Sequence, residues 1–251
     1  MNNTSKNVSN EIIISKNTIK RLTKDIKEIY KNPLSDNNIY YKHDETDILK
    51  GYGLIIGPTE TIYEGGYYVF EFEFPHDYPH SPPKVTFKTS DSFIRFHPNL
   101  YTSGKVCLSI LNTWDGEPWT GCQTISSILL SICSLLTNDS LLNEPGITCK
   151  HNDYTKYHEI IRYKNIEFAM CNFISKPYFK NEFRQLFDIA KEHFIRTYAH
   201  NKLVINNSKK EFDKSNCDNI INTLIYRLSC KINYDNLPNL LEKTYNKLKL
   251  N

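Results

Sequence analysis

The apolar positions along the chain change period several times, and each change marks an element. Ile19, Leu22, Ile26 and Ile29 recur at spacings of three and four, which predicts an amphipathic helix running to about Lys31. Ser15 or Asn17 can cap its start, and Asn32-Pro33 closes it, because the residue before a proline is pushed out of the helical region. Three runs of β character follow, Asn38 to Lys42, Lys50 to Ile56 and Tyr67 to Phe74, broken by Gly57-Pro58 and Gly65-Gly66. Within the last, Glu71-Phe72-Glu73-Phe74 alternates with the period of two expected of a half-buried strand. Lys84 to Lys88 predicts a fourth, short strand, and hairpin links make the set antiparallel. Pro75, Pro79, Pro82 and Pro83 fix φ and withhold backbone donors, so the segment before that strand reads as a rigid, non-repetitive crossing.

From Cys122 to Thr137, the residues Ile125, Ile128, Leu129, Ile132, Leu135 and Leu136 trace one stripe, which predicts a central core helix. Helical patterns resume in Tyr154 to Ile174, Asn181 to Tyr198, Asn219 to Ser229 and Leu240 to Leu248, whereas the polar stretch Lys202 to Asn216 reads as a loop. A helix, then an antiparallel sheet, then helices argues for an α+β fold rather than alternating α/β. The expected organisation is a polar tail over 1–14, a domain over 15–165 and a helical extension over 166–251, packed on or beside the core.

Composition narrows the function classes. The 251 residues carry 31 Lys+Arg and 28 Asp+Glu, a net charge of +3, too mild for bulk nucleic-acid binding. Six cations against two acids lie in the first predicted helix, so the positive charge sits at one end; it is either a solvated face or a docking surface for an acidic partner. Mean hydropathy is −0.51, and no run approaches the roughly 18 apolar residues of a bilayer span, which argues against a membrane protein. Met1 to Asn10 lacks the apolar stretch of a secretory signal, so an intracellular protein of the cytoplasm or nucleus is expected. Seven cysteines form an odd set with no C-x-x-C pair, which suggests neither a disulfide framework nor a zinc cage; most are expected to be small buried residues.

One cysteine stands apart. Between the fourth strand and the core helix, the irregular stretch Arg95 to Leu111 brings His97, Asn99 and Cys107 within eleven positions. A thiol in such a surface crossing is expected to be reachable by a large partner. A thiolate attacks an acyl carbon to give a thioester, and a carboxamide held nearby can donate to the oxyanion that forms when the thioester is attacked, worth about 3–4 kcal/mol. That pairing suits acyl transfer. Hydrolysis needs a positioned base for water, and spacing shows no Cys-His-acid triad, although one assembled in space stays open.

These residues bring the chain to a resemblance. Tyr78-Pro79-His80-Ser81-Pro82-Pro83-Lys84-Val85, His97-Pro98-Asn99, Gly104-Lys105-Val106-Cys107-Leu108, Trp119 and Leu129-Leu130-Ser131-Ile132 resemble the ubiquitin-conjugating enzymes in order and spacing, over roughly residues 15 to 165. Cys107 to Trp119, with its two tryptophans, and Asn143-Glu144-Pro145-Gly146 resemble the large, Z-type subfamily. The resemblance implies the ubiquitin-conjugating fold, with Cys107 accepting ubiquitin or a ubiquitin-like modifier from an activating enzyme as a thioester and passing it to a lysine amine or a ligase. It implies that Asn99 supports the loop and stabilises the oxyanion, that His97 and Pro98 support the turn, and that Tyr78 and Trp119 pack. Lys20, Arg21 and Lys24 would face an acidic surface of the activating enzyme. No cofactor or metal is implied, because ATP is consumed by the activating enzyme.

Two departures from the family pattern matter. At the gate opposite the cysteine, where many members carry Asp, this chain has Asn143 with Glu144 beside it, and a neutral amide cannot deprotonate a lysine. Glu144 is the expected substitute. The positions that other members present to ligases are His80, Thr120 and Gly121, which puts generic pairing with ligases in doubt. The alternatives are a catalytically silent ubiquitin-binding variant and a thiol hydrolase.

Overall fold

A computed structural model describes residues 14–176, 183–215 and 218–249. Helix α1, Lys16–Lys31, starts at Ser15, whose Oγ accepts the Thr18 N–H at 3.0 Å. It buries Leu22 and Ile29 and leaves Lys20 and Lys24 exposed. Strands β1 (Ile39–His43), β2 (Lys50–Ile56), β3 (Tyr67–Glu73) and β4 (Lys84–Phe87) form one antiparallel sheet in the order β1-β2-β3-β4. Helix α2, Ile125–Cys133, begins at a capping box in which Thr124 and Ser127 satisfy each other's backbone N–H. That cap places the start of the helix three residues beyond the expected Cys122. Leu129 presses on the sheet at Gly53, where a Cβ would come within 2.6 Å of its Cδ2, so only glycine admits the helix this close.

The opposite face of the sheet is covered by the C-terminal part of the chain. Helix α3, Tyr154–Lys164, continues as a π-helical stretch, Asn165–Asn172, and a last turn, Phe173–Ser175. Then come α4 (Arg184–Arg196), α5 (Tyr198–Ser215), a hairpin of β5 (Ile220–Asn222) and β6 (Ser229–Lys231), and α6 (Leu237–Lys249). Tyr52 packs against Phe183 at 5.6 Å between ring centroids and Tyr67 against Phe173 at 5.3 Å, while the Tyr67 hydroxyl lies 3.1 Å from His193 Nδ1. One hydrophobic core therefore runs from α2 through the sheet into the extension.

This covering corrects several expectations. Tyr67 to Phe70 are all buried, so β3 is half-buried only from Glu71 onward; alternation registers one covered face and is blind to an element that later covers the other. Residues expected to form a loop over Lys202 to Asn216 are helical in α5 as far as Ser215, with a sparse buried stripe of Asn201, Ile205, Ser208 and Phe212 in which two members are polar. Asn219 to Ser229, read as a helix, instead contributes β5, a 3-10 turn at Ile225–Arg227 and the start of β6. There Ile221 and Leu228, seven residues apart as on one face of a helix, are buried from a two-stranded ribbon and its turn instead. Among the described cysteines only Cys107, Cys171 and Cys230 are buried, and Cys122 and Cys149 are exposed. Met1 to Ile13, Phe179 and Cys217 lie outside the described residues. No helix among the described residues is long and apolar enough to cross a membrane.

Candidate functional site

Asn99 and Cys107 are brought together by backbone and side chain at once. The Cys107 N–H donates to Asn99 O at 2.9 Å, and Asn99 Nδ2 donates to Cys107 O at 2.8 Å. The carboxamide is thus a clamp on the cysteine's own peptide group, with one amide hydrogen committed and Asn99 Oδ1 unpartnered. The next amide, Leu108 N–H, goes to Thr113 Oγ1 at 3.0 Å, whose hydroxyl donates back to Val106 O at 2.8 Å. Both amides are thereby committed within the chain, so neither is free to serve an oxyanion.

Cys107 itself is only 1% exposed, which corrects the expectation of a freely reachable thiol. Its neighbours Val106 and Leu108 belong to the contiguous hydrophobic core and Cys107 does not. It sits instead in irregular chain, shortly before Asn112 to Pro118, where every residue is exposed. Val106 also lines an open groove of about 470 Å³ with Pro83, Val85, Ser103, Lys105 and Thr113.

His97 is fully buried, and its Nδ1 accepts the Asn99 N–H at 3.0 Å. The proton therefore resides on Nε2, which is aimed toward the Leu135 backbone without closing a hydrogen bond of ordinary geometry. Burial pushes its pKa down to about 3. With its Nδ1 lone pair taken by the Asn99 N–H, this buried imidazole ties the turn together. Among the described residues no histidine hydrogen-bonds the Cys107 thiol. Pro98 is buried, and its carbonyl is gripped by the Arg95 guanidinium, through Nε at 3.1 Å and through Nη2.

Arg95 is a residue that the sequence reading missed. Its guanidinium lies 3.7 Å from the Tyr101 ring centroid and 4.3 Å from that of Tyr226, which arrives from the distant C-terminal hairpin. No local signal could have paired them. Of the two residues that the resemblance puts at the gate, Asn143 is exposed and its amide donates to Ser140 O at 3.1 Å, whereas Glu144 is half-buried and its Oε2 accepts from the Tyr226 hydroxyl.

The other sequence-derived positions gather on one surface. Trp119 Nε1 donates to Pro79 O at 2.8 Å, which draws the loop bearing His80 against the loop bearing Thr120 and Gly121; all three are exposed. Tyr78 is buried, and its hydroxyl donates to Asp25 at 2.5 Å. Arg21 is not a free cation. Its Nε pairs with Asp25 at 2.9 Å, Nη2 donates to Gln123 O at 2.6 Å and Nη1 donates to Gly121 O, so it is a strut between α1 and the loop before α2. Only Lys20 and Lys24 of the basic trio stay exposed. Among the described residues no His, Cys, Asp and Glu cluster could hold a metal ion.

The sequence model of the family described as Ubiquitin-conjugating enzyme matches residues 21–165, which includes the clamp, the gate and the exposed loops. Among curated relatives, Ubiquitin-conjugating enzyme E2 Z of Homo sapiens is 44% identical over 155 residues, 61% of this chain and 43% of that protein. E2 Z of Xenopus tropicalis is 42% identical over 163 residues, 64% of this chain and 51% of that protein. A "Probable ubiquitin-conjugating enzyme" of Acanthamoeba polyphaga mimivirus is 32% identical over 226 residues, 81% of this chain and 15% of that protein, so the likeness continues past residue 165. The chain spans about half or less of the length of these relatives. With the larger part of its length matched by the family's own sequence pattern, the chain belongs to the ubiquitin-conjugating enzyme family.

Proposed function

We propose that the protein is a transferase that carries ubiquitin or a ubiquitin-like modifier as a thioester on Cys107, received from an activating enzyme and passed to a lysine amine or a ligase. The observation that carries this reading is the double grip of Asn99 on the Cys107 peptide, which fixes one cysteine of the chain beside a carboxamide. In loading, the Cys107 thiolate attacks the activated C-terminal carbonyl of the modifier and displaces the activating enzyme's thiolate; ATP is consumed on that enzyme. In transfer, a lysine ammonium gives one proton to the Glu144 carboxylate and its nitrogen attacks the thioester carbon. The oxyanion accepts the second hydrogen of Asn99 Nδ2. The C–S bond then breaks, the sulfur leaves with the electron pair, and the remaining amine proton passes to solvent.

The buried state of Cys107 sets a condition on loading. The residue lies in irregular chain shortly before an exposed loop, and a shift of that chain is the movement that would uncover it. The groove lined by Val106 is then the approach for an extended modifier tail. Lys20 and Lys24 meet the activating enzyme, and the surface of His80, Thr120 and Gly121 meets the ligase. The hydrolase alternative fits poorly with a buried, neutral His97 and committed amides at Cys107 and Leu108.

The test is charging of the purified chain with a panel of ubiquitin and ubiquitin-like modifiers, each with its activating enzyme and ATP, followed by gels with and without thiol. A reductant-sensitive adduct that is lost, or turned into a reductant-stable oxyester, in Cys107→Ser and retained in Cys122→Ser and Cys149→Ser is expected. An adduct that maps to either exposed cysteine refutes the assignment. Binding with no adduct anywhere in the panel indicates the silent variant.

A further inference from the structure

The hairpin between β5 and β6 does more than cover the core: its turn reaches the gate. Tyr226 and Arg227 hold φ of 56° and 51°, a region that residues other than glycine seldom occupy, so the turn is kept in place by specific contacts. Asp153, 3% exposed, accepts Leu224 N–H at 2.8 Å and Ile225 N–H at 2.9 Å on a single oxygen, Oδ2. Thr223 Oγ1 donates to Ile225 O at 2.7 Å and accepts Leu228 N–H at 3.2 Å, which closes the turn from its other side. The Tyr226 ring thereby lies on the Arg95 guanidinium and edge-on to Tyr157, 5.9 Å between centroids, and its hydroxyl meets Glu144 Oε2.

We propose that the C-terminal hairpin is a working part of the transfer site, with Tyr226 a positioning residue that holds the Glu144 carboxylate and, through Arg95, braces the His97-Pro98-Asn99 turn. The proposal rests on the thioester reading given above. Tyr226 occupies one carboxylate oxygen, and among the described residues Glu144 Oε1 makes no hydrogen bond, so one oxygen is held while the other is open to the lysine proton. Burial first, and the bond to Glu144 next, lift the Tyr226 phenol far above its ordinary pKa, so it remains a donor throughout the working range. Arg95 has its guanidinium between the Tyr101 and Tyr226 rings and its donors on Pro98 O, so loss of the Tyr226 ring loosens the turn that carries Asn99.

Single-turnover discharge of the ubiquitin-loaded full chain tests this, with rates read only from molecules already carrying the thioester. Free lysine is compared with hydroxylamine, a nucleophile that is neutral at pH 7 and needs no base. Tyr226→Phe keeps the ring and removes the donor; discharge to lysine is expected to slow about tenfold, the worth of one hydrogen bond to a charged group, while hydroxylamine discharge stays within about twofold. In a Glu144→Gln background the same change should add nothing. Asp153→Ala, which releases the turn and with it both the hydroxyl on Glu144 and the ring on Arg95, should slow discharge to lysine and to hydroxylamine alike. Unchanged lysine discharge in Tyr226→Phe, an equal loss with both nucleophiles in that variant, or a full additional loss on top of Glu144→Gln each overturns the positioning role. A wild-type chain that takes no thioester overturns the transferase reading itself, and this proposal with it.

Discussion

Asn99→Ala separates the two roles assigned to the carboxamide. The substitution removes the 2.8 Å bond from Asn99 Nδ2 to Cys107 O and leaves the 2.9 Å backbone bond between the same residues in place. Both residues are buried, so the Cys107 carbonyl loses its partner where water does not readily replace it. An orphaned buried acceptor costs about 1–3 kcal/mol. At about 2–4 °C per kcal/mol for a domain of this size, the Tm should fall by roughly 2–12 °C. If the second amide hydrogen also serves the oxyanion, discharge of loaded Cys107 to lysine should slow by a further ~100- to 1,000-fold, the loss seen when one such donor is removed. Thermal unfolding reports the first effect and single-turnover discharge at a temperature well below both midpoints reports the second. A Tm within 1 °C of the parent refutes the clamp. A lowered Tm with discharge within about threefold refutes the oxyanion role and leaves Asn99 a loop support alone.

Other outcomes follow from particular contacts. Arg21→Ala leaves the buried Asp25 carboxylate with no cation and only the Tyr78 hydroxyl, and frees two loop carbonyls, so it should destabilise by about 3 kcal/mol in denaturant titrations, whereas Lys20→Glu should leave stability unchanged, slow loading and blunt its salt dependence; the opposite pattern would make Arg21 the docking residue. Burial pushes His97 to about 3 and His158 and His193 to about 4, below the unfolded value, so the folded state binds fewer protons and stability is lost as pH falls from about 6.5 toward 4. Glu159, raised by burial, offsets part of this, and a net slope of roughly two to three protons is expected in unfolding free energies measured across that window; a flat profile refutes it. Gly104 holds φ +90°, and a Cβ there would meet Thr86 Cγ2 at 2.8 Å and Phe87 O at 3.1 Å, so Gly104→Ala should lower stability by at least about 1–2 kcal/mol and disturb the strand-edge bond from Phe87 N–H to Gly104 O, visible as faster hydrogen exchange at Phe87.

The elements of the first half of the chain were legible in local pattern, whereas the β5–β6 hairpin, whose strands pair only a few residues apart, was not. The Ser15 cap and the i, i+3, i+4 stripe of α1, the four strands with their glycine and proline breaks, and the stripe of α2 all follow from local periodicity. The order of motifs from Tyr78 to Glu144 was enough to place the chain in its family, and the roles of Cys107, Asn99 and Glu144 are what we propose on that basis. What local pattern could not supply is contact between distant segments. It could not show that Tyr52 and Tyr67 are covered by Phe183 and Phe173, that the polar run after Tyr198 is helical because Ile205 and Phe212 find a core, or that Arg21 is a strut to Gln123. Nor could it place Tyr226 on Arg95 and Glu144, or show that Cys107 is buried. Periodicity records which face of an element is apolar; which partner covers that face, and which thiol or carboxylate is left open, is decided only when the whole chain closes on itself.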